Sequence, residues 1–381
     1  MNHDANHSAF DPAQMARRLV RFADDECRDE PLYDALCRIG AASPDILALM
    51  QAAAPEQRRA NLLLAAVHDL VLAGSGHALA AYFPSVGGVT AVDAALPAHL
   101  RDFSTQHRGL LRERIATRST QTNEIGRCAV LWPVLQHLAA STGRTRLALL
   151  DLGCSAGLNL GVDAYAFDYG SLRLGAAAAA GVPQVRCTLR GTLHPPGDAP
   201  VPTLVERLGI DPAPVDVNDE AAVRWLRACL WPHDAPRRQR LDAAVALARR
   251  RRWPVRREAD CALAAQAWAE SLAPAVLPVV FNSWVLTYFA PDALARHRTL
   301  MTELVQRRGV AWISAEEPRL RSGDELPPPL PPQADHELRA GTLWALMQPG
   351  AKRPHCRVVA RSHPHGKWLE WWAAAAQRSA T

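Results

Sequence analysis

From Met15 to about Leu138 the apolar positions recur at three- and four-residue steps, as in Leu19, Phe22 and Ala23 and again in Leu62, Ala65, Ala66 and Leu70. This spacing stacks apolar side chains on one helical face and predicts a helical N-terminal domain over residues 1–140. Gly and Pro punctuation divides it at Ala42-Ser43-Pro44, at Gly74-Ser75-Gly76 and at Pro84-Ser85-Val86-Gly87-Gly88. From Arg146 the pattern changes to short apolar runs alternating with longer helical stretches, the layout of a parallel sheet covered by helices on both faces. The runs 147–152, 204–210, 253–257, 277–281, 310–314, 342–347 and 356–361 predict seven strands. Helical stretches at 156–166, 219–250, 261–273 and 291–308 supply crossovers, with Pro291 in a first-turn position where its missing N–H costs nothing. The expected architecture over residues 141–381 is a doubly wound α/β domain with a seven-stranded, mostly parallel sheet. An insertion at about 169–202 interrupts it, and the Pro-rich segment 327–332 reads as a stiff linker.

Composition changes this picture little. A chain of 381 residues, 49% of them apolar, is long enough for two cores. The net charge of +5 comes almost entirely from Arg, with Lys only at 352 and 367. The densest basic run, Arg249 to Arg252 with Arg256 and Arg257, reads as a solvated helix end, so a nucleic-acid partner is disfavoured. Eight scattered cysteines form no C-x-x-C pair and read as reduced thiols. The start of the chain lacks a signal layout and no run reaches the roughly 18 apolar residues of a membrane span. These features predict a cytoplasmic protein with no membrane association and no metal; the His363-Pro364-His365 alternation lacks a ligand spacing.

The most informative segment is Leu147 to Leu160, in which an apolar strand ends in Asp151 and passes through Gly153 and Gly157 into a helix. Open α/β sheets bind ligands at such turns, outside the carboxyl ends of their strands. The dinucleotide fingerprint needs a second glycine two residues after the first, where this chain has Ser155, so NAD is disfavoured. The spacing Asp151-x-Gly153-x-x-x-Gly157 instead resembles the first motif of class I methyltransferases. In that family the loop surrounds the aminocarboxypropyl part of S-adenosylmethionine. The resemblance implies cofactor contacts from Asp151, Gly153, Ser155, Gly157 and Asn159. It further implies an acid at the end of the second strand on the ribose, for which Asp211 is preferred over Asp168, and one after the third strand, Asp260, on the adenine amino group. Asp260 is equally well placed to cap the next helix.

After the fourth strand the chain reads Phe281-Asn282-Ser283-Trp284, followed by Tyr288. In methyltransferases this position faces the transferring methyl group. Asn282 and Ser283 are accordingly expected at the cofactor, with the Asn282 amide oxygen orienting an amine nucleophile. Trp284 and Tyr288 offer rings to a sulfonium or substrate cation. Both prolines of the D/N-P-P-Y/F signature are missing, so adenine or amide methylation is not expected. There is no G-x-S-x-G elbow and no H-E-x-x-H helix. Glu316-Glu317 after the fifth strand reads as a solvated loop, with a general base as the alternative.

The run Thr120 to Cys128 packs Gln121, Asn123, Glu124 and Arg127 into more hydrogen-bonding capacity than a helix cap needs. It is therefore expected to wall the substrate side of a pocket, with Asn123 and Glu124 as catalytic candidates. This run, the loop Gly153 to Asn159, Arg224-Trp225-Leu226-Arg227 with Trp231-Pro232, Asn61 to His68 and Tyr82 to Ser85 resemble the bacterial family catalogued as domain of unknown function 2332. The resemblance implies a fold rather than a substrate. The expected function is S-adenosylmethionine-dependent methylation of a small molecule, with the helical domain as lid. The alternative is a binding or regulatory module that keeps the fold without catalysis.

Overall fold

The computed structural model describes residues 10–121, 123–320 and 341–373. Thr122 and the Pro-rich segment 327–332 lie outside the described residues. The chain forms two compact units, Met1–Thr122 with Asp219–Gln239, and Asn123–Asn218 with Arg240–Thr381.

The first unit contains α1 (Pro12–Glu26), α2 (Pro31–Ala41), α3 (Pro44–Leu49), α4 (Ala60–Leu72), α5 (Leu96–Gln106) and α6 (Arg108–Thr117). After α7 (Cys128–Thr142), which belongs to the second unit, α8 (Glu220–Ala228) returns to the first. Pro12, Pro31 and Pro44 open their helices, each in the first turn where a missing N–H is not needed. The expected breaks follow: α2 stops before Ser43, α4 stops before Gly74, and Gly87 ends a 3-10 turn at Pro84–Val86 with φ +86°. Helix α4 is apolar on nearly every side, and eleven of its thirteen residues are buried, as befits the centre of a helical unit. Two of the buried residues are polar. The Asp69 carboxylate accepts hydrogen bonds from Arg114 Nε at 2.9 Å and Arg224 Nε at 3.0 Å, because a charge removed from water needs opposite charge. His68 is also held on both sides, as described below.

The second unit holds β1 (Arg146–Leu152), β2 (Ala166–Asp168), β3 (Arg173–Gly175), β4 (Gln184–Arg186), β5 (Thr188–Arg190) and β6 (Thr203–Asp211). It continues with β7 (Val255–Arg257), β8 (Leu277–Ser283), β9 (Ala311–Glu316), β10 (Thr342–Gln348), β11 (His355–Ser362) and β12 (Trp368–Trp371). The main sheet has nine strands in the order β5-β12-β11-β10-β9-β8-β1-β6-β7. The seven expected strands are all among them, but the expected number was too small. The additional β12 and β5 have only four and three residues, too short to show alternation, and β5 forms the edge of the sheet, where strands are commonly short. From β7 to β9 every pairing is parallel, whereas β9, β10, β11 and β12 form an antiparallel meander. Within the expected insertion, β3 and β4 flank β2 in a separate small sheet.

Two helix expectations also change. The stretch 219–250 is not one helix: α8 and α9 (Ala235–Arg251) are separated at Trp231-Pro232, where Pro lacks the N–H a continuing helix would use. The stretch 156–166 is a 3-10 helix, Leu158–Ala164, entered from Gly157 at φ +67°. Its Gly161 lies so close to the Trp253 ring that a Cβ would overlap it. The other helices, α10 (Cys261–Ser271) and α11 (Pro291–Arg308), lie where expected. Ala148, Leu150 and Leu152 of β1 share a core with Val280, Trp312, Trp268, Met301 and Val305. Strands β1, β8, β9 and β10 are buried almost throughout, which is why they read as unbroken apolar runs. No helix among the described residues is long and apolar enough to cross a membrane.

Candidate ligand site at the carboxyl ends of β1, β6, β8 and β9

Strand β1 lies between β6 and β8, so successive connections leave it toward opposite edges of the sheet. Such a reversal opens a crevice at the carboxyl ends of the strands. The turn after β1 sits there. Gly153, Ser155 and Gly157 all have positive φ, at +67°, +52° and +67°. Glycine is required twice by space as well: a Cβ on Gly153 would stand 2.5 Å from Val285 Cγ2, and one on Gly157 2.6 Å from Val255 Cγ2. The space a Gly153 side chain would need is taken by Val285.

The loop is held by its own surroundings. Gly153 and Cys154 donate to the Ile210 carbonyl at 2.8 and 3.2 Å, and Gly157 donates to Cys154 at 2.8 Å. Asp211, at the end of β6, accepts from Ser155 N–H through Oδ2 at 2.9 Å and from Ala213 N–H through Oδ1 at 2.7 Å. Asn123 brackets the loop from the other side, accepting from Leu158 N–H and donating to the Cys154 carbonyl, both at 3.3 Å. Five loop amides are thereby committed to protein acceptors, which does not suit a phosphate cradle.

Beneath the loop lies Asp151, 1% exposed. Burial pushes its carboxyl up to about 8, against the opposing effect of a hydrogen bond from Asn159 Nδ2 at 3.4 Å. The Asn159 amide oxygen accepts from the Cys128 thiol at 3.4 Å. Asp260 caps α10, accepting from Ala262 and Leu263 N–H at 3.1 Å each. Asp168 belongs to the small sheet, where it accepts from Gly170 N–H.

At the end of β8, Asn282 is 1% exposed and fully engaged. Its amide oxygen accepts from Trp312 Nε1 at 2.7 Å, and its Nδ2 donates to Glu316 Oε1 at 2.7 Å and Ser314 Oγ at 3.2 Å. Glu316 is the last residue of β9 and wholly buried, not in a solvated loop. The expected strand stopped two residues short of it, although Ala311-Trp312-Ile313-Ser314-Ala315 is an unbroken run that carries the strand to Glu316. Its Oε1 also accepts from Val285 N–H at 3.0 Å and Leu286 N–H at 3.3 Å, while the buried Oε2 has no hydrogen-bond partner among the described residues. Burial pushes this carboxyl up to about 6.

Arg127 ties the polar segment to this corner. It donates to the Pro364 carbonyl at 2.8 Å and to Ser283 Oγ at 3.2 Å, and its guanidinium lies 5.7 Å from the centre of the Trp284 ring. Trp284 has φ +57° and donates from Nε1 to Thr342 Oγ1 at 2.8 Å. Tyr288 is 54% exposed. Glu124 accepts from Gly126 N–H at 2.9 Å through Oε1, and its Oε2 faces His365 Nδ1 at 3.5 Å. Gly126 and Gly366 cross backbone to backbone, each without room for a Cβ. Of the expected site residues, Asn123 thus reaches the loop and Arg127 the β8 end, while Glu124 contacts Gly126 and His365, all within the second unit; Gln121 belongs to the first unit. Among the described residues no group of three or more His, Cys, Asp or Glu is arranged to hold a metal ion.

The family model described as "Uncharacterized protein conserved in bacteria (DUF2332)" matches residues 16–371. No curated protein and no solved structure matches the chain.

Proposed function

The chain belongs to that bacterial family, and from this premise we propose that its second unit binds S-adenosylmethionine and that the protein methylates a small molecule. The observation that carries the reading is the left-handed Gly153-Ser155-Gly157 turn after β1, beside the strand-order reversal where open α/β sheets take their ligands. The donor set fits the cofactor. Asp211 keeps a lone pair on each oxygen beyond the one used by the backbone, enough to accept from two ribose hydroxyls. Ser155 and the half-buried Gly153 offer the contacts nearest the loop surface.

When bound, the cofactor supplies an activated methyl group; the chain's own residues bind and align. In this proposal Asp211 holds the ribose, and Asn123 and Asp211 keep the loop rigid. Arg127 fixes Ser283 and Trp284 at the end of β8. Glu316 receives the acceptor's proton at Oε2, its acidity lying near the operating pH that a general base requires. Alignment of nucleophile and methyl group contributes most of the rate. Titration calorimetry with S-adenosylhomocysteine and with NAD tests this. Micromolar binding of S-adenosylhomocysteine supports the reading, and binding of NAD alone refutes it.

One observation favours a second reading, a binding module without catalysis. The Asn282 amide, expected to orient a nucleophile, is saturated by Trp312, Ser314 and Glu316. On that reading the cofactor binds but no methyl group leaves it in any acceptor screen.

A further inference from the structure

A second constellation lies in the first unit and is independent of the proposed cofactor. His68, on the buried helix α4, has its Nε2 2.7 Å from Ser85 Oγ. Its Nδ1 is 3.1 Å from the Ala228 carbonyl and 3.4 Å from the Tyr33 hydroxyl. A carbonyl oxygen only accepts, so Nδ1 carries the proton and Nε2 presents its lone pair to the serine O–H. The ring is further fixed against Phe83, with centroids 5.4 Å apart.

Ser85 is half-buried on the 3-10 turn Pro84–Val86. Arg238 donates from Nη1 to the Ser85 carbonyl, which keeps a guanidinium beside the serine. The neighbouring Val86 is 42% exposed, and Val89 and Val92 further along the chain are 95% and 43% exposed, apolar side chains available to an acyl group.

We propose that Ser85 is a nucleophile activated by His68 and positioned through the Ala228 carbonyl, and that it takes acyl groups from small esters with an apolar acyl chain. Ser85 Oγ attacks the ester carbonyl carbon while its proton passes to His68 Nε2, and the Arg238 charge stabilises the oxyanion. The carbonyl-to-alkoxy bond then breaks and the proton goes from His68 to the departing alcohol. Water cleaves the acyl-serine by the same steps in reverse, giving a carboxylic acid and free Ser85. Burial holds His68 down to about 4, so the imidazole is neutral across the physiological range and Nε2 keeps its lone pair for the serine O–H. The charged and titratable groups facing it are Tyr33 from α2, Arg238 from α9 and Asp69 on its own helix.

The test is labelling of the full chain with a fluorophosphonate, read by peptide mass spectrometry, together with hydrolysis of p-nitrophenyl butyrate. The expected result is a single adduct on Ser85, absent in Ser85→Ala and formed roughly 100-fold more slowly in His68→Gln, the usual size of general-base assistance. Because His68 is buried and its replacement can unfold the unit, the wild-type pH profile provides a second measure. Assistance by a base titrating near 4 predicts a labelling rate that is flat from pH 6 to 8. A serine ionising without help would gain about tenfold per pH unit. No adduct on Ser85, or a rate that rises in proportion to hydroxide, overturns the proposal.

Discussion

Asp211 holds Ser155: the carboxylate at the end of β6 accepts the N–H of the one non-glycine residue that the loop places at positive φ, at 2.9 Å. Replacing Asp211 with Ala removes the carboxylate that both this N–H and that of Ala213 donate to. Stability should fall by about 1–3 kcal/mol in urea unfolding. S-adenosylhomocysteine affinity should fall with it, whereas Asp168→Ala, in the other sheet, should leave affinity unchanged.

Asn123→Ala removes both clamps on the glycine loop, to Leu158 N–H and to the Cys154 carbonyl. A residue that only faced substrate would leave the fold and cofactor binding intact. The bracketing geometry instead predicts a lower urea midpoint, by roughly 1–2 kcal/mol, together with weaker S-adenosylhomocysteine binding. An unchanged midpoint in the Ala variant would contradict it.

Gly153→Ala combines a left-handed backbone with a contact to Val285. The expected loss is about 2–4 kcal/mol, from backbone strain plus overpacking. Adding Val285→Ala relieves only the contact, so thermal denaturation of the double variant should recover part of the loss. Full recovery would mean that the backbone conformation costs nothing.

Asp151 and Glu316 are both shifted upward by burial, to about 8 and about 6. A carboxyl whose folded pKa exceeds its unfolded value favours folding below the unfolded pKa, near 4, and that contribution is lost as pH rises through the folded one. Stability should therefore decline between pH 4 and pH 8. Asp151→Asn, which can still accept from Asn159, should flatten this slope and raise stability at pH 8 by an amount on the order of a few kcal/mol. Urea midpoints at pH 5 and pH 8 for both chains decide it.

Much of this architecture is legible in the chain because burial on both faces leaves unbroken apolar runs at β1, β8, β9 and β10. Punctuation by Pro44, Gly74 and Gly87 is equally direct. The short strands β5 and β12 are not legible, since three or four residues carry no period and their mutual pairing joins segments far apart along the chain. At the site, the glycine turn announces itself by spacing, but the direction of a polar side chain does not. Gln121, Asn123, Glu124 and Arg127 form one dense run, yet the Asn123 amide reaches residues 31 and 35 positions away and Arg127 one that is 237 away. Glu316 was hidden for a related reason: only the register of β9 against β8 reveals that an acid ends the strand beside Asn282.

The crossing of Gly126 and Gly366, with Arg127 bound to the Pro364 carbonyl, bears on how the protein is made. Contacts this distant in sequence must close a long loop before they return any free energy, so they form late. Synthesis at about 5–20 residues per second puts on the order of ten seconds or more between the emergence of Arg127 and that of its acceptor. Throughout that interval the guanidinium, buried in the finished protein, lacks the carbonyl that anchors it. The parallel strands from β7 to β9 can be complete before the meander arrives, so the corner containing Arg127, Ser283 and Trp284 is the last part of the unit to set.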